Sequence, residues 1–430
     1  QCKHQASNSY EDDYFHALKK HRPSTFGHPS CWKSIQNSDP HYLNHRPATA
    51  EGDPVTLLHP LFAMFYDDCE TAKPTETDAK FVLEIIKKMS DVFDDEKARM
   101  TVFHEIYDKH YRIKLKQVSM DSCTMGGSGF DSGSRLMTIN LEAKPELGLG
   151  NGCPYIQGIT YYGRHMADID KKFRARVRLP CFVLYLAGPY LGVAGVIMTD
   201  IVTCDPFTLI LPLLLLRHDM RAMFCLAQVF HAFNKAVVSM KQHYDQGPPK
   251  IARTQRSFPY IDSFSTFNGS TVKFKYVKRL CKNKLVFLIE KENDDSALPN
   301  RLIVKFTRDY GEVVHRTCAE MGFVPQLFGC CSILGGWKTV VMEFIGNEYH
   351  DVADDVHDSS SAYKISQALR KVVEKMHAEG FVHGDIRQTN ILWRKVNGDI
   401  NVALIDFDWS GRVGEAIYPL YINPKISRHP

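Results

Sequence analysis

Apolar positions recur at helical spacing over residues 81–86, 96–107 and 221–244, so three amphipathic helices are expected there. Residues 114–120, 135–141 and 181–198 read instead as strands. The last of these carries Gly188-Pro189 and Gly192-Val193 and is expected to fold back as a hairpin. Residues 1–52 are polar, rich in His, Ser, Asn and Pro, and are expected to form a poorly ordered tail. The greasiest run, residues 208–216, contains Pro212 and is too short to span a bilayer, so it is expected in a buried core. Gln246-Gly-Pro-Pro-Lys-Ile stops the third helix and stiffens the chain, which predicts a linker with a boundary near Pro248. A second pattern follows: strands over 271–280, 284–291, 301–306 and 338–345, helices over 310–322 and 361–380, and a return strand over 402–408. The expected class is α+β in two domains, 53–247 and 248–430, after the tail 1–52.

Composition narrows the class. The 430 residues are 44% hydrophobic and 24% charged, as in a folded globular protein. A net charge of +4 does not mark the whole chain as a nucleic-acid binder. The 12 cysteines show no CxxC pair and no zinc spacing, which predicts free thiols in a reducing compartment. Nothing reads as a signal peptide or a membrane span. An intracellular location, cytoplasm or nucleus, is expected, with no membrane partner. Gln1 in place of Met leaves a preceding leader or domain as an expectation.

Candidate chemistry is densest near the C-terminus. Phosphoryl transfer needs a cation on the phosphates, oxygen ligands for Mg²⁺, and a carboxylate aligned with the attacking hydroxyl. Lys305, in the strand Leu-Ile-Val-Lys-Phe, is the candidate cation. Glu312 and Glu320 are both candidates to hold Lys305, and Glu312 better suits the distance ahead of Val324-Pro325. Residues 338–345 read as an apolar strand entering a polar loop, with Met342 lining a pocket and backbone groups at Glu343 and Ile345 meeting adenine. The amphipathic helix 361–380 presents Ile365, Leu369, Val372, Val373 and Met376 on one face and stops at Gly380. Directly after it come Phe381-Val-His-Gly-Asp-Ile-Arg-Gln-Thr-Asn390, a Val396-Asn-Gly-Asp399 turn, and Ile405-Asp-Phe-Asp408. Asp385 is the candidate base, Asn390 and Asp406 the Mg²⁺ ligands, and Arg387 a neighbour of the γ-phosphate. His383 is expected to support the loop by hydrogen bonding.

The order helix, HGDxxxxN, hairpin, IDFD resembles the protein-kinase-like superfamily over residues 260–430. The resemblance implies a bilobal kinase-like fold with a short C-lobe, ATP and Mg²⁺ as cofactors, and a protein Ser or Thr hydroxyl as acceptor. It is nearest to the kinase domain of fungal and oomycete Crinkler-type effectors and related fungal kinase-like proteins, which implies action in a host nucleus. Three features depart from the ordinary kinase pattern. The turn Leu280-Cys-Lys-Asn-Lys284 replaces GxGxxG, Asp-Phe-Asp replaces Asp-Phe-Gly, and no APE segment follows before Pro430.

The N-terminal half holds a second constellation. Asp131 precedes a strand bearing Glu142 and Lys144, two residues apart and so on one face. Gln157 follows in a helix, and Glu96 or Glu105 offers a further carboxylate. This (D/E)xK arrangement resembles the PD-(D/E)xK restriction-endonuclease-like nucleases, over about residues 90–220. The resemblance implies a metal-dependent nuclease with DNA as a partner. Arg174, Arg176 and Arg178 alternate and are expected on one strand face, able to meet phosphates. Three activities therefore stand side by side: a kinase, a nuclease regulated by a kinase-like domain, and a scaffold that has lost catalysis.

Overall fold

The computed structural model describes residues 15–16, 18–19, 22–36, 43–44, 46–47, 50, 52–120, 123–130, 136–149, 152–292, 298–352 and 359–420. It divides the chain into two compact units, Gln1–Tyr260 and Ile261–Pro430. The division falls after Tyr260 rather than at Pro248. Hydrogen bonds explain the shift. The buried Arg178 guanidinium donates to the carbonyls of Leu58, Gln255, Arg256 and Phe258, which ties the segment after the prolines to the first unit. The backbone N–H of Tyr260 donates to Leu57 in the same way.

The first unit is built on helices α1 (Pro29–Gln36), α2 (Pro60–Thr71), α3 (Glu76–Met89) and α4 (Glu96–Tyr111). Strands β1 (Lys116–Met120), β2 (Cys123–Phe130) and β3 (Met137–Lys144) follow. Helix α5 (Pro154–Asp168) leads to β4 (Cys181–Ala187), β5 (Tyr190–Met198), β6 (Val202–Pro206) and β7 (Leu211–Pro212), and α6 (Met220–Asp245) ends the run. The sheet runs β1-β2-β3-β4-β5-β6, with β7 on β5. All pairs are antiparallel except β3 with β4, which are parallel across the α5 crossover. Helix α3 starts on a capping box, Thr75 with Asp78, and α4 on Asp95, which satisfy N–H groups the first turn leaves without partners. Helix α6 is long and apolar enough to cross a membrane by length and composition. Phe230, Phe233 and Met240 are instead buried in the core, and His231 and Lys235 pair with Asp78 on α3 and Asp68 on α2.

Three expectations are corrected in this unit. Residues within 1–52 contribute Phe15, Leu18, Phe26 and Leu43 to the core, and α1 lies in the same stretch. Scattered apolar residues without a period still bury well where the rest of the unit offers an apolar surface. The run 208–216 joins the core only in part: Leu209 is 88% and Ile210 60% exposed, whereas Leu213 is buried and Leu211 and Leu215 pack half-buried against the core. The Arg174–Arg178 stretch is no strand. Lys171–Arg174 is a single helical turn, and Arg174 and Arg178 are buried donors to backbone carbonyls.

The second unit opens with β8 (Ser263–Ser265), β9 (Thr271–Arg279), β10 (Val286–Lys291), β11 (Arg301–Thr307), helix α7 (Glu312–Glu320), β12 (Leu327–Ile333) and β13 (Trp337–Glu343). These strands form one antiparallel sheet, ordered β12-β13-β11-β10-β9-β8. The chain then supplies β14 (His350–Asp351), α8 (Ser359–Ala378), β15 (Phe381–Val382), β16 (Ile391–Val396), β17 (Asp399–Leu404) and β18 (Gly411–Arg412). Ile365, Val372 and Met376 of α8 are buried where the helix packs on β17 and β15, with Leu369 and Val373 partly covered. Each such side chain contributes about 1.5–3 kcal/mol when fully buried. The β16–β17 hairpin turns on Asn397 (φ 52°) and Gly398 (φ 89°), the two positive φ values a two-residue I′ turn requires.

Candidate functional site

The hairpin register sets the site. Ile391 pairs with Leu404, so Asn390 and the residues just beyond Leu404 stand side by side. The N–H of Ile405 donates to the Asn390 carbonyl at 3.0 Å and fixes that junction. Asp406 follows at φ 73°, in the left-handed region that costs most side chains free energy but that Asp tolerates better than most. Phe407 is fully buried between two imidazoles: His315 stacks on it at 4.6 Å and 9°, and His383 meets it edge-on at 4.8 Å. His383 Nδ1 accepts from the Asp385 N–H, and its Nε2–H donates to the Ile405 carbonyl. The loop-supporting hydrogen bonds expected of His383 are these two.

Gly384 has φ 79°, and an added Cβ would lie 2.4 Å from the Trp409 carbonyl oxygen. The close approach of that backbone requires glycine between His383 and Asp385.

The polar cluster is continuous. Asn390 Nδ2 donates to Asp385 Oδ2 at 2.8 Å and to its carbonyl at 3.0 Å. Arg387 Nη2 lies 3.0 Å from the same Asp385 Oδ2. With its NH₂ spent on Asp385, Asn390 turns Oδ1 toward Lys284, 3.3 Å away. Lys284 also donates to Asp406 Oδ2, and Lys305 donates to Asp406 Oδ1 and, at 2.5 Å, to Asp408 Oδ1. Burial raises the Asp406 carboxyl's pKa, but Lys305 and then Lys284 outweigh it and hold the group below the usual carboxylate range. Burial and the neighbouring Asp406 push Asp408 up, against the pull of Lys305.

The structure corrects the Glu312 expectation. Glu312 sits at the start of α7 and pairs with Arg316 at 3.7 Å, while Glu320 is exposed. Lys305 has Asp406 and Asp408 as its carboxylate partners instead. Two aspartates two residues apart, flanking a buried Phe, already supply the charge that a helix glutamate was expected to bring. The hinge expectation is also narrowed. Met342 is buried and Ile345 half-buried, but the Glu343 N–H donates to the Gln326 carbonyl at 2.8 Å. Sequence reasoning missed Lys284 and Asp408 as members of the cluster. The signals available were the unusual second Asp of IDFD and the basic turn in place of glycines.

His315 makes one consequence measurable. Its Nε2–H donates to the Pro325 carbonyl and its Nδ1 accepts from Tyr310. Burial is the main cause that lowers its pKa to about 4, with Lys305 adding to it. The folded value lies below the unfolded value of about 6.5, so the unfolded chain takes the proton first as pH falls. Stability from this group is complete above about pH 6.5 and is lost as pH falls toward about 4, on the order of 3 kcal/mol in total. Denaturant unfolding of the second unit between pH 7 and 4 is expected to show this slope, and His315→Asn to lack that component. A wild-type midpoint that stays flat over this range contradicts it.

In the first unit, Glu142 and Lys144 both lie on β3 and both are buried. Lys144 Nζ lies 3.3 Å from Glu96 Oε2 and 4.0 Å from Glu142 Oε1. Glu96, in the first turn of α4, is therefore the acidic residue brought to this lysine, while Glu105 is exposed on the same helix. Gln157 is buried in the first turn of α5, against Gly27 and Gly152. Asp131 lies outside the described residues.

Comparison with known proteins bears on the second unit. A family model described as the lipopolysaccharide kinase (Kdo/WaaP) family matches residues 346–414, which takes in Asp385, Arg387, Asn390, Asp406 and Asp408. Among solved structures, the chain is similar to the kinase PK-1 of Cydia pomonella granulovirus at 17% identity and TM-score 0.27. That likeness covers 33% of this chain and 53% of the viral one, so the chain spans about half of the protein it matches. No curated protein matches the chain. The Crinkler-type, fungal and restriction-endonuclease-like resemblances gain no support from these matches. The Kdo/WaaP match, lying on the segment that builds the Asp385–Asn390–Asp406 cluster, supports a kinase-like phosphotransferase of the protein-kinase-like superfamily in the second unit.

Proposed function

We propose that the second unit transfers the γ-phosphate of Mg²⁺-ATP to a hydroxyl, with a protein Ser or Thr as acceptor. One observation carries the reading: Asp385, Asn390, Asp406 and Lys305 form a single hydrogen-bonded cluster, with Lys284 as the link between Asn390 and Asp406. When bound, Mg²⁺ offsets the charge of the phosphate oxygens. Asn390 Oδ1 and Asp406 Oδ2 are the oxygens to hold it. They fit a hard cation in type, and they already share one, the Lys284 ammonium. With two protein oxygens, the rest of the shell would fall to phosphate oxygens and water. Lys305, held by two carboxylates, is kept charged for the phosphates. Asp385 accepts the proton of the acceptor hydroxyl, and Arg387 beside it meets charge near the γ-phosphate. With the Glu343 N–H spent, adenine pairs with the Glu343 carbonyl and with backbone groups at Ile345, over Met342.

The test is Mg²⁺-dependent label transfer from γ-labelled ATP by the full chain, to a generic protein in one arm and to a lipopolysaccharide glycan in the other. The family name makes a sugar hydroxyl the competing acceptor. Transfer to protein that requires Asp385 supports the reading. Transfer to glycan alone replaces the acceptor, and no transfer from folded chain overturns the activity.

A second reading concerns the first unit: metal-dependent cleavage of nucleic acid. What favours it is the order α4, the β1–β2–β3 meander, α5 and a parallel β4, with Glu142, Lys144 and Glu96 gathered at β3. The same unit carries an open basic surface lined by Lys172, Phe173, Arg176, Lys250 and Arg253. Such a surface suits a phosphate backbone with a base stacked on the aromatic ring. Lys144→Ala is expected to abolish Mg²⁺-dependent DNA cleavage and leave phosphotransfer unchanged. Cleavage that persists in this variant, or is absent from wild type, sinks the reading.

A further inference from the structure

The turn between β9 and β10 holds no glycine, yet it reaches the centre of the polar cluster. Leu280 closes it with a backbone bond to Val286, and the Arg279 guanidinium donates to the Cys281 and Lys284 carbonyls at 2.9 and 3.1 Å. Arg279 is itself set over the Phe287 ring. The turn is thus pinned from within, and its last residue, Lys284, is aimed at Asp406 and Asn390. The Lys284 side chain is 35% exposed, whereas Asp406 is 12% exposed and Asn390 fully buried. A partly solvent-accessible cation therefore rests on two more deeply buried oxygens.

Those two oxygens are the ones assigned above to the divalent ion. A like charge so close is strongly disfavoured, so Lys284 and a divalent ion exclude each other at Asn390 Oδ1 and Asp406 Oδ2. Lys305 differs: it is 8% exposed, sits on the central strand β11, and binds the opposite oxygen of Asp406. We propose that Lys284 is a tethered counter-ion of the phosphotransfer site, which competes with Mg²⁺ for Asn390 and Asp406 and, when displaced, moves onto the nucleotide phosphates. It stands where other kinases place a glycine flap. An ammonium point charge on a pinned turn replaces backbone amides as the cover of the phosphates. The inference rests on the phosphotransferase reading of the second unit.

The two roles predict opposite shifts from a single substitution. Binding of a fluorescent ATP analogue (MANT-ATP) to the full chain is titrated at Mg²⁺ concentrations from none to saturating, for wild type, Lys284→Met and Lys284→Arg. Melting temperature is followed against Mg²⁺ alone. In Lys284→Met the Mg²⁺ midpoint is expected to fall about five- to tenfold, because the competitor is gone, while nucleotide Kd at saturating Mg²⁺ rises by a similar factor through loss of a charge-assisted contact. Lys284→Arg is expected to return both values most of the way to wild type. A Lys284→Met chain that moves neither value, or weakens both together, overturns the inference while wild-type binding leaves the phosphotransferase reading intact. Wild type that binds no MANT-ATP at any Mg²⁺ concentration overturns both.

Discussion

Asp385→Ala is expected to lower phosphoryl transfer by about 10³-fold, within the 10²–10⁴ range of a positioned general base, and to leave ATP affinity within about twofold. The separation of the two effects follows from the hydrogen bonds. Asn390 holds Asp385 through both its carboxylate and its backbone carbonyl. The backbone bond survives truncation, so the Asn390 amide keeps its orientation and Oδ1 still faces the cation position. Arg387 loses its 3.0 Å partner and gains freedom near the γ-phosphate, which removes alignment more than binding. Single-turnover transfer beside MANT-ATP titration measures both. Transfer within tenfold of wild type contradicts the role of Asp385. Loss of transfer together with loss of ATP binding shows that Asp385 acts through folding, which a melting curve then confirms.

The second large effect is expected at Lys305. Its ammonium is the buried bridge between Asp406 and Asp408. Lys305→Met leaves two carboxylates side by side in a poorly solvated site, with Lys284 on only one of them. Breaking a buried ion pair by removing one partner costs about 3–5 kcal/mol, because the remaining charge stays desolvated. The cost shrinks as pH falls and one carboxyl takes up a proton, since coupled carboxylates share a site better when one is neutral. Tryptophan fluorescence suits the measurement, because Trp337, Trp393 and Trp409 all belong to the second unit and only Trp32 to the first. Lys305→Met is expected to move the second unit's transition down by that amount at pH 7 and to abolish nucleotide binding. A double-mutant cycle is expected to show strong coupling of Lys305 to Asp406 and none to Glu312. An unshifted midpoint, or coupling to Glu312 instead, rejects the bridge.

Much of the local framework was legible in the residues themselves. The Asn397-Gly398 turn, the α8 apolar face and the Cys181–Met198 hairpin all follow from short-range rules: positive φ at a two-residue turn, 3.6-residue periodicity, and β-branched runs broken by glycine. Proximity of the HGDxxxxN loop to IDFD is almost local as well, because one hairpin register joins them. The exposure of Leu209 and Ile210, the burial of Arg174 and Arg178, and the core role of Phe15 and Leu18 were not legible. Hydropathy states what a side chain prefers, but which surfaces the sheet and helices leave to cover depends on the whole packed unit. Ion-pair partners were the least legible. A lysine on β11 is compatible with any nearby carboxylate, and Glu312, Asp406 and Asp408 are equivalent in charge. Only the packing of Phe407 between His315 and His383, which turns Asp406 and Asp408 toward β11, decided between them. Sequence alone thus determined many of the elements and the reactive residue types, through rules that act over a few residues. Tertiary structure decided which charges meet, because that choice is made by close packing between segments about a hundred residues apart.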